Sequence, residues 1–271
     1  MSIHGNVKRV TTHTLQKMKE NGEKISMLTA YDYSFARIFD EAGVDVLLIG
    51  DSAANVVSGF ETTLPMTLNQ MIIMADSVVR AAKRSFVICD LPFGSYQGNS
   101  KEALNSSIRI MKESGAHAVK LEGGKEVCDA ISRVVSAGIP VMAHLGLTPQ
   151  SINKFGTYAV RAKDEAEAEE LIQNAIAVQE AGAFALVLEK IPAALGEKVA
   201  KTLTIPVIGI GAGGGVDGQV LVMHDMLGIT KDFSPRFLRR YLDLYEEIKN
   251  ATGHYIADVR SGDFPNDQEQ Y

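Results

Sequence analysis

The chain has 271 residues, 46% of them hydrophobic, and a formal net charge of −6. That length suits one α/β barrel as a single domain, and a mildly acidic chain with no block of Lys or Arg offers no nucleic-acid surface. No apolar run approaches the ~20 residues needed to cross a bilayer, and the polar opening "MSIHGNVKRVTTHTLQKMKENGEK" carries no signal-type stretch. Cys89 and Cys128 alone give no disulfide framework. The expectation is a soluble cytoplasmic protein.

One rhythm runs from Ile25 to the 220s. Predicted strands are "ISMLTA" (25–30), "DVLLIGD" (45–51), "SFVICDLP" (85–92) and "HAVKLEG" (117–123), followed by "IPVMAHLGL" (139–147), "AFALVLEK" (183–190), "IPVIGIGAG" (205–213) and "QVLVMHD" (219–225). They are short and almost continuously apolar, as strands covered on both faces should be. Amphipathic segments such as "DYSFARIFDEAG", "TLNQMIIMADSVVRAAK", "SKEALNSSIRIMKESG" and "AEAEELIQNAIAVQEAG" separate them and read as helices. Gly43, Gly115, Gly138 and Gly182 stand directly before strands, where a helix stop is expected. Eight strands with mostly helical connections predict a (β/α)8 TIM barrel; a doubly wound sheet would fit the alternation with fewer strands. The segment 237–262 reads as one or two extra C-terminal helices outside the barrel. The chain 1–271 reads as one domain with polar N- and C-terminal extensions.

Barrels of this kind do their chemistry at the C-terminal ends of the strands. Those ends carry Asp51 and Ser52, Asp90, Lys120 and Glu122, His144, Glu189, and a glycine run at 209–215. Each has a plain reading alone. Asp51 and Asp90 can begin turns, Lys120 and Glu122 can pair, His144 can be a hydrogen-bonded core histidine, and Glu189 can pair with Lys190 or reach solvent. Together they differ. Strand side chains alternate, so Lys120 and Glu122 share one face of "VKLEG", and a buried ion pair is by itself a weak reason to place charges there. Asp51, Asp90 and Glu122 on three neighbouring strands make an oxygen-rich cup suited to a hard cation such as Mg2+. Glu189, two strands further round, is left to act as a base, and Lys120 to steady substrate charge. The run "GIGAGGGVDG" contains G-x-G-x-x-G, but late in the chain and ahead of another strand rather than a helix. A glycine rim that lets backbone approach substrate is the preferred reading, a phosphate site after strand 7 the alternative.

The sequence resembles the ketopantoate hydroxymethyltransferase family from about Leu28 to Gly262, through "TAYDYSFA", "LIGDS", "TLPMTL", "DLPFGSY", "VKLEGG", "HLGLTPQSINKFG", "IPVIGIGAG" and "DGQVLVMHD". The resemblance implies a barrel of the phosphoenolpyruvate/pyruvate type, a divalent cation, and transfer of a one-carbon unit from 5,10-methylenetetrahydrofolate to 3-methyl-2-oxobutanoate. The product would be 2-dehydropantoate, formed through a metal-stabilised enolate in the first step of pantothenate synthesis. It implies Asp51, Asp90 and Glu122 as metal ligands, the last directly or through water. Ser52 and Lys120 would hold the keto acid beside Asp51 and Asp90, Glu189 would accept the proton, and His144 would line the pocket. A homo-oligomer, commonly a decamer, is implied as well. Ala53-Ala54-Asn55, Glu61-Thr62-Thr63 and Thr157 depart from the family's usual residues, and no local motif marks a folate site. An isocitrate-lyase-like or phosphonopyruvate-acting enzyme of the same barrel type would carry a cysteine-containing catalytic loop, and neither cysteine is placed for one. A non-catalytic barrel would have lost carboxylates that are all present.

Overall fold

The computed structural model describes residues 8–271. The first seven residues of the polar opening segment, and the part of the no-signal expectation that falls on them, lie outside the described residues. The chain forms two compact units, one reaching to Val222 and the other Met223–Tyr271.

The first unit is the expected barrel. Its strands are β1 (Ile25–Thr29), β2 (Val46–Ile49), β3 (Phe86–Asp90), β4 (Ala118–Glu122), β5 (Val141–Gly146), β6 (Ala185–Glu189), β7 (Val207–Ile210) and β8 (Gly218–Leu221). All neighbouring pairs are parallel, and β8 pairs with β1 to close the cylinder. Its helices are α1 (Thr12–Asn21), α2 (Tyr33–Glu41), α3 (Ala53–Val56), α4 (Leu68–Ala81), α5 (Ser100–Ser114) and α6 (Cys128–Ser136), then α7 (Ile152–Phe155), α8 (Glu165–Glu180) and α9 (Ala193–Thr202). Local signals set their ends. Thr67 and Gln70 form a reciprocal capping box at the start of α4, and the Asn99 side chain accepts the Glu102 amide at the start of α5. Gly43, Gly115, Gly138 and Gly182 have φ of 90°, 76°, 87° and 103°, so the anticipated helix stops are left-handed turns.

Alternation along each strand fills the cylinder. Ile25, Met27, Val46, Leu48, Phe86, Ile88, Ala118, Met142, Ala185, Val187, Ile208 and Val220 make one buried cluster. Val10, Leu15 and Met18 join it from the N-terminal segment and α1, which close the bottom of the barrel; the Val10 amide donates to the Arg84 carbonyl just ahead of β3. The same parity continues upward and aims Asp90, Lys120, Glu122, His144 and Glu189 inward at the top.

Two glycines of the run have a packing use. No helix follows β7; the chain turns through 211–217 into β8. A Cβ on Gly213 would lie 2.5 Å from that of Ala193, and one on Gly215 2.7 Å from that of Glu197. These glycines let the turn sit against α9.

In the second unit, α10 (Met223–Met226) is one turn long and α11 (Leu244–Ser261) ends at Gly262 with φ 77°. The predicted helical tail from Phe237 therefore begins as helix only at Leu244. Residues 230–243 are irregular, and the Arg240 guanidinium organises them by donating to the carbonyls of Thr230, Lys231 and Phe233 at 2.7–3.0 Å.

Candidate active site

The strand register assembles the site. β3–β4 pairing puts Asp90 beside Lys120, β4–β5 puts Glu122 beside His144, and β5–β6 puts Gly146 beside Glu189. Asp51 and Ser52 follow β2 at the same end. The Asp51 amide donates to Asp90 Oδ2 at 3.0 Å, so two residues distant in sequence share one corner.

Charge is concentrated there out of water. Asp51, Asp90, Lys120, Glu122 and His144 are all buried, the most open of them 5% exposed. Lys120 Nζ stands 3.1 Å from Asp90 Oδ1 and 3.4 Å from His144 Nδ1. The histidine lies between two acids, with Nδ1 3.3 Å from Glu122 Oε1 and Nε2 3.4 Å from Glu189 Oε2. Three atoms remain without a hydrogen bond of good geometry: Asp90 Oδ1, Glu122 Oε1 and His144 Nε2. Buried polar atoms seldom stay orphaned.

The protonation equilibria report the same crowding. Burial, reinforced by the Glu122 and Asp90 charges, pushes the Asp51 carboxyl up to about 8 against the pull of Lys120 and Gln150. Burial also raises Asp90, although Lys120 opposes it. Lys120 moves the other way: burial favours its neutral form, but Asp90, Glu122 and Asp51 outweigh burial and hold it charged. For His144, burial and the Lys120 charge disfavour protonation, yet Glu122 and Glu189 prevail and push it up to about 9. Glu122 goes down instead, because His144, Lys120 and the Gln150 amide outweigh its burial, so the cluster's acids are held in different protonation states. A lysine and a glutamate share a face of β4 because both belong to this one ionic assembly.

Two residues with no role assigned from sequence hold the assembly. Gln150 follows Pro149 in a one-turn 3-10 helix, Pro149–Ser151, beyond β5. Its Nε2 donates to Asp51 Oδ2 at 2.9 Å and to the Leu91 carbonyl at 3.0 Å, while its own amide N–H donates to Glu122 Oε2 at 3.0 Å. The Tyr96 hydroxyl lies 2.8 Å from Gln150 Oε1, accepts the Glu122 amide at 3.1 Å and reaches the Glu122 carbonyl at 3.1 Å. Both residues lie inside motifs singled out above, "DLPFGSY" and "HLGLTPQS". A buried amide behind a proline-fixed turn was the available signal, but its partners are far away in sequence. Ser52 is half-buried, with its hydroxyl 2.8 Å from the Tyr31 hydroxyl.

A cavity of about 770 Å3 borders the cluster, lined by Phe93, Tyr96, Glu122, Gln150, Lys154 and Asn174 among others. Among the described residues, no three His, Cys, Asp or Glu side chains are arranged as a preformed metal cage. Cys89 is buried in β3, and Cys128 opens α6 with its thiol 3.6 Å from the Gly124 carbonyl. Neither stands in the mouth. Ala53 and Ala54 of the departing segment are fully buried in α3, and Asn55 Nδ2 donates to the Phe60 carbonyl at 2.8 Å.

The chain is similar to known proteins in sequence and in fold. Residues 9–267 match the family described as ketopantoate hydroxymethyltransferase. The chain is 69% identical over 264 residues to a 3-methyl-2-oxobutanoate hydroxymethyltransferase of Flavobacterium johnsoniae, covering 97% of each chain. It is 64% identical over 269 residues to the protein of that name from Bacteroides fragilis, covering 99% of this chain and 98% of the relative. Among solved structures, 2,3-dimethylmalate lyase, a PEP mutase/isocitrate lyase superfamily member, superposes with a TM-score of 0.59 at 17% identity, over 96% of this chain and 91% of that one. That likeness is one of fold.

Proposed function

The chain belongs to the ketopantoate hydroxymethyltransferase family, and we propose that it moves a hydroxymethyl group from 5,10-methylenetetrahydrofolate to 3-methyl-2-oxobutanoate, the first step of pantothenate synthesis. In balance, keto acid, methylene-folate and water give 2-dehydropantoate and tetrahydrofolate. The observation that carries the reading is the meeting of Asp51, Asp90, Lys120, Glu122, His144 and Glu189 at the C-terminal mouth of the barrel.

The donor set fits a divalent cation, Mg2+ first. Its atoms are carboxylate oxygens, and two of the buried atoms without a well-formed hydrogen bond are Asp90 Oδ1 and Glu122 Oε1, while the acids Asp51, Asp90, Glu122 and Glu189 outnumber Lys120 and His144. Mg2+ retains waters and needs only one or two carboxylates beside substrate oxygens, so no closed protein cage is required. Asp51 and Asp90 would hold it, with Glu122 as a third ligand directly or through water. When bound, the cation supplies Lewis-acid stabilisation of negative charge on the keto oxygen, worth several kcal/mol.

The protein's own groups do the rest. Lys120 holds a fixed positive charge beside the 2-oxo acid in a site shut off from water, where such charge counts for more. Ser52, set by Tyr31, donates to the keto acid. Glu189 takes the C3 proton. Water adds to the methylene carbon, both of its C–N bonds break with the protons going to the two folate nitrogens, and C3 bonds to the carbon so released at the formaldehyde level while its oxygen takes up the proton to become the new hydroxyl. His144 lines the pocket and keeps Glu189 aimed. The reading also includes a cytoplasmic homo-oligomer, a decamer by family resemblance, and one domain spanning 1–271.

The test is solvent deuterium exchange at C3 of 3-methyl-2-oxobutanoate, which needs no folate. Glu189→Gln should lower exchange by about a hundredfold or more, the range for loss of a general base, while cation binding persists. Exchange at the parent rate would remove Glu189 as the base.

A further inference from the structure

We propose that Gln150 is a positioning residue for this reaction, fixing the Asp51 and Glu122 carboxylates in the orientation that cation binding requires. The assignment rests on the cation reading above and adds a residue to it.

Gln150 reaches both acids through different atoms. Its side-chain amide donates to Asp51 Oδ2, and its backbone amide donates to Glu122 Oε2. A primary amide has two donor hydrogens and one oxygen with two lone pairs, and here all four places are used. The hydrogens go to Asp51 and the Leu91 carbonyl, and the oxygen faces the Tyr96 hydroxyl at 2.8 Å and Gln97 Nε2 at 3.0 Å. The amide therefore has one favourable setting, and flipping it would set its oxygen against a carboxylate and a carbonyl. Pro149 fixes the backbone just before it, and the residue is 5% exposed. Each donated bond occupies one oxygen of a carboxylate and so dictates where the other points. Partners of this kind orient ligands that would otherwise rotate, and losing one typically lowers metal affinity or activity by about 10–100-fold.

The rival role is that of a plug that merely fills the barrel mouth. Gln150→Met keeps the bulk and deletes every side-chain hydrogen bond. Tyr96→Phe keeps Gln150 and removes the hydroxyl that seats its oxygen. Purified metal-free protein would be titrated with Mn2+ by calorimetry, and thermal midpoints measured in chelator. The proposal expects Gln150→Met to bind Mn2+ about 10–100-fold more weakly with a chelator midpoint near the parent's. It expects Tyr96→Phe to shift affinity several-fold the same way, and kcat for C3 exchange to fall more than KM rises. A lowered midpoint with unchanged affinity would identify a plug and overturn the assignment. Should Gln150→Met fail to fold, Gln97→Met, which removes a donor to Gln150 Oε1 and bonds neither acid, is read with Tyr96→Phe: weakened affinity in both supports the assignment, and parent-like affinity in Gln97→Met overturns it. A parent protein that binds no Mn2+ overturns the cation reading and this assignment with it, whereas equal binding by parent and both variants overturns this assignment only.

Discussion

Gly146, at the end of β5, sits where no side chain fits. Its φ is 93°, and a Cβ there would press into the Glu189 carbonyl oxygen and lie 3.0 Å from Ile191 Cγ2. Gly146→Ala should cost at least about 1–2 kcal/mol from the left-handed backbone alone. Relief of the clash would displace Glu189, and a misplacement near 1 Å is worth on the order of a hundredfold in rate. Denaturant unfolding together with C3 exchange checks this; unchanged exchange in a folded variant would separate Glu189 placement from Gly146. The ionic residues were legible because alternation alone fixes their direction: given a strand over Ala118–Glu122, Lys120 and Glu122 had to face the same way. Gln150 was not legible. Its value depends on Asp51, 99 residues earlier, and no local pattern encodes a loop amide reaching across the mouth of a barrel.

Between elements, one side chain anchors α2 to the turn that feeds β3. Asp40 accepts the amides of Ser85 at 2.7 Å, Lys83 at 2.9 Å and Arg84 at 3.0 Å. Burial alone would raise this carboxyl, but those amides outweigh it and hold it below the usual aspartate value. A depressed carboxyl stabilises the fold above its unfolded value and loses that contribution as pH falls through the folded one. Asp40→Ala should therefore be about 1–3 kcal/mol less stable at pH 7, and the gap to the parent should begin to narrow only below about pH 4 and shrink further as pH falls through the folded value, well into the acid range. Unfolding curves across this pH range measure it, and a gap independent of pH would contradict the assignment. The strands and long helices were legible from apolar runs and glycine stops. Helix α1 was not: its inward contribution is Leu15 with Met18, too sparse in a polar segment to announce burial. The packing of Gly213 and Gly215 against α9 was not legible either, since only the closed barrel reveals where that helix lies.

Across the first unit, closure of eight parallel strands puts every strand end at one of two rims. Apolar side chains fill the lower cylinder, and the last inward position of several strands is ionic. A cluster of that kind opposes folding unless something answers its charge, and under the proposed function a cation is what answers it. The fold could be read from strand count and rhythm, and the ionic cluster of the candidate site from which residues end the strands; no local pattern marks where a folate would bind. The decisive measurement is 2-dehydropantoate formation by the purified protein from 3-methyl-2-oxobutanoate and 5,10-methylenetetrahydrofolate, with and without EDTA. The account predicts product that EDTA abolishes and added Mg2+ restores. No product with Mg2+ present, or a full rate in EDTA, would contradict it.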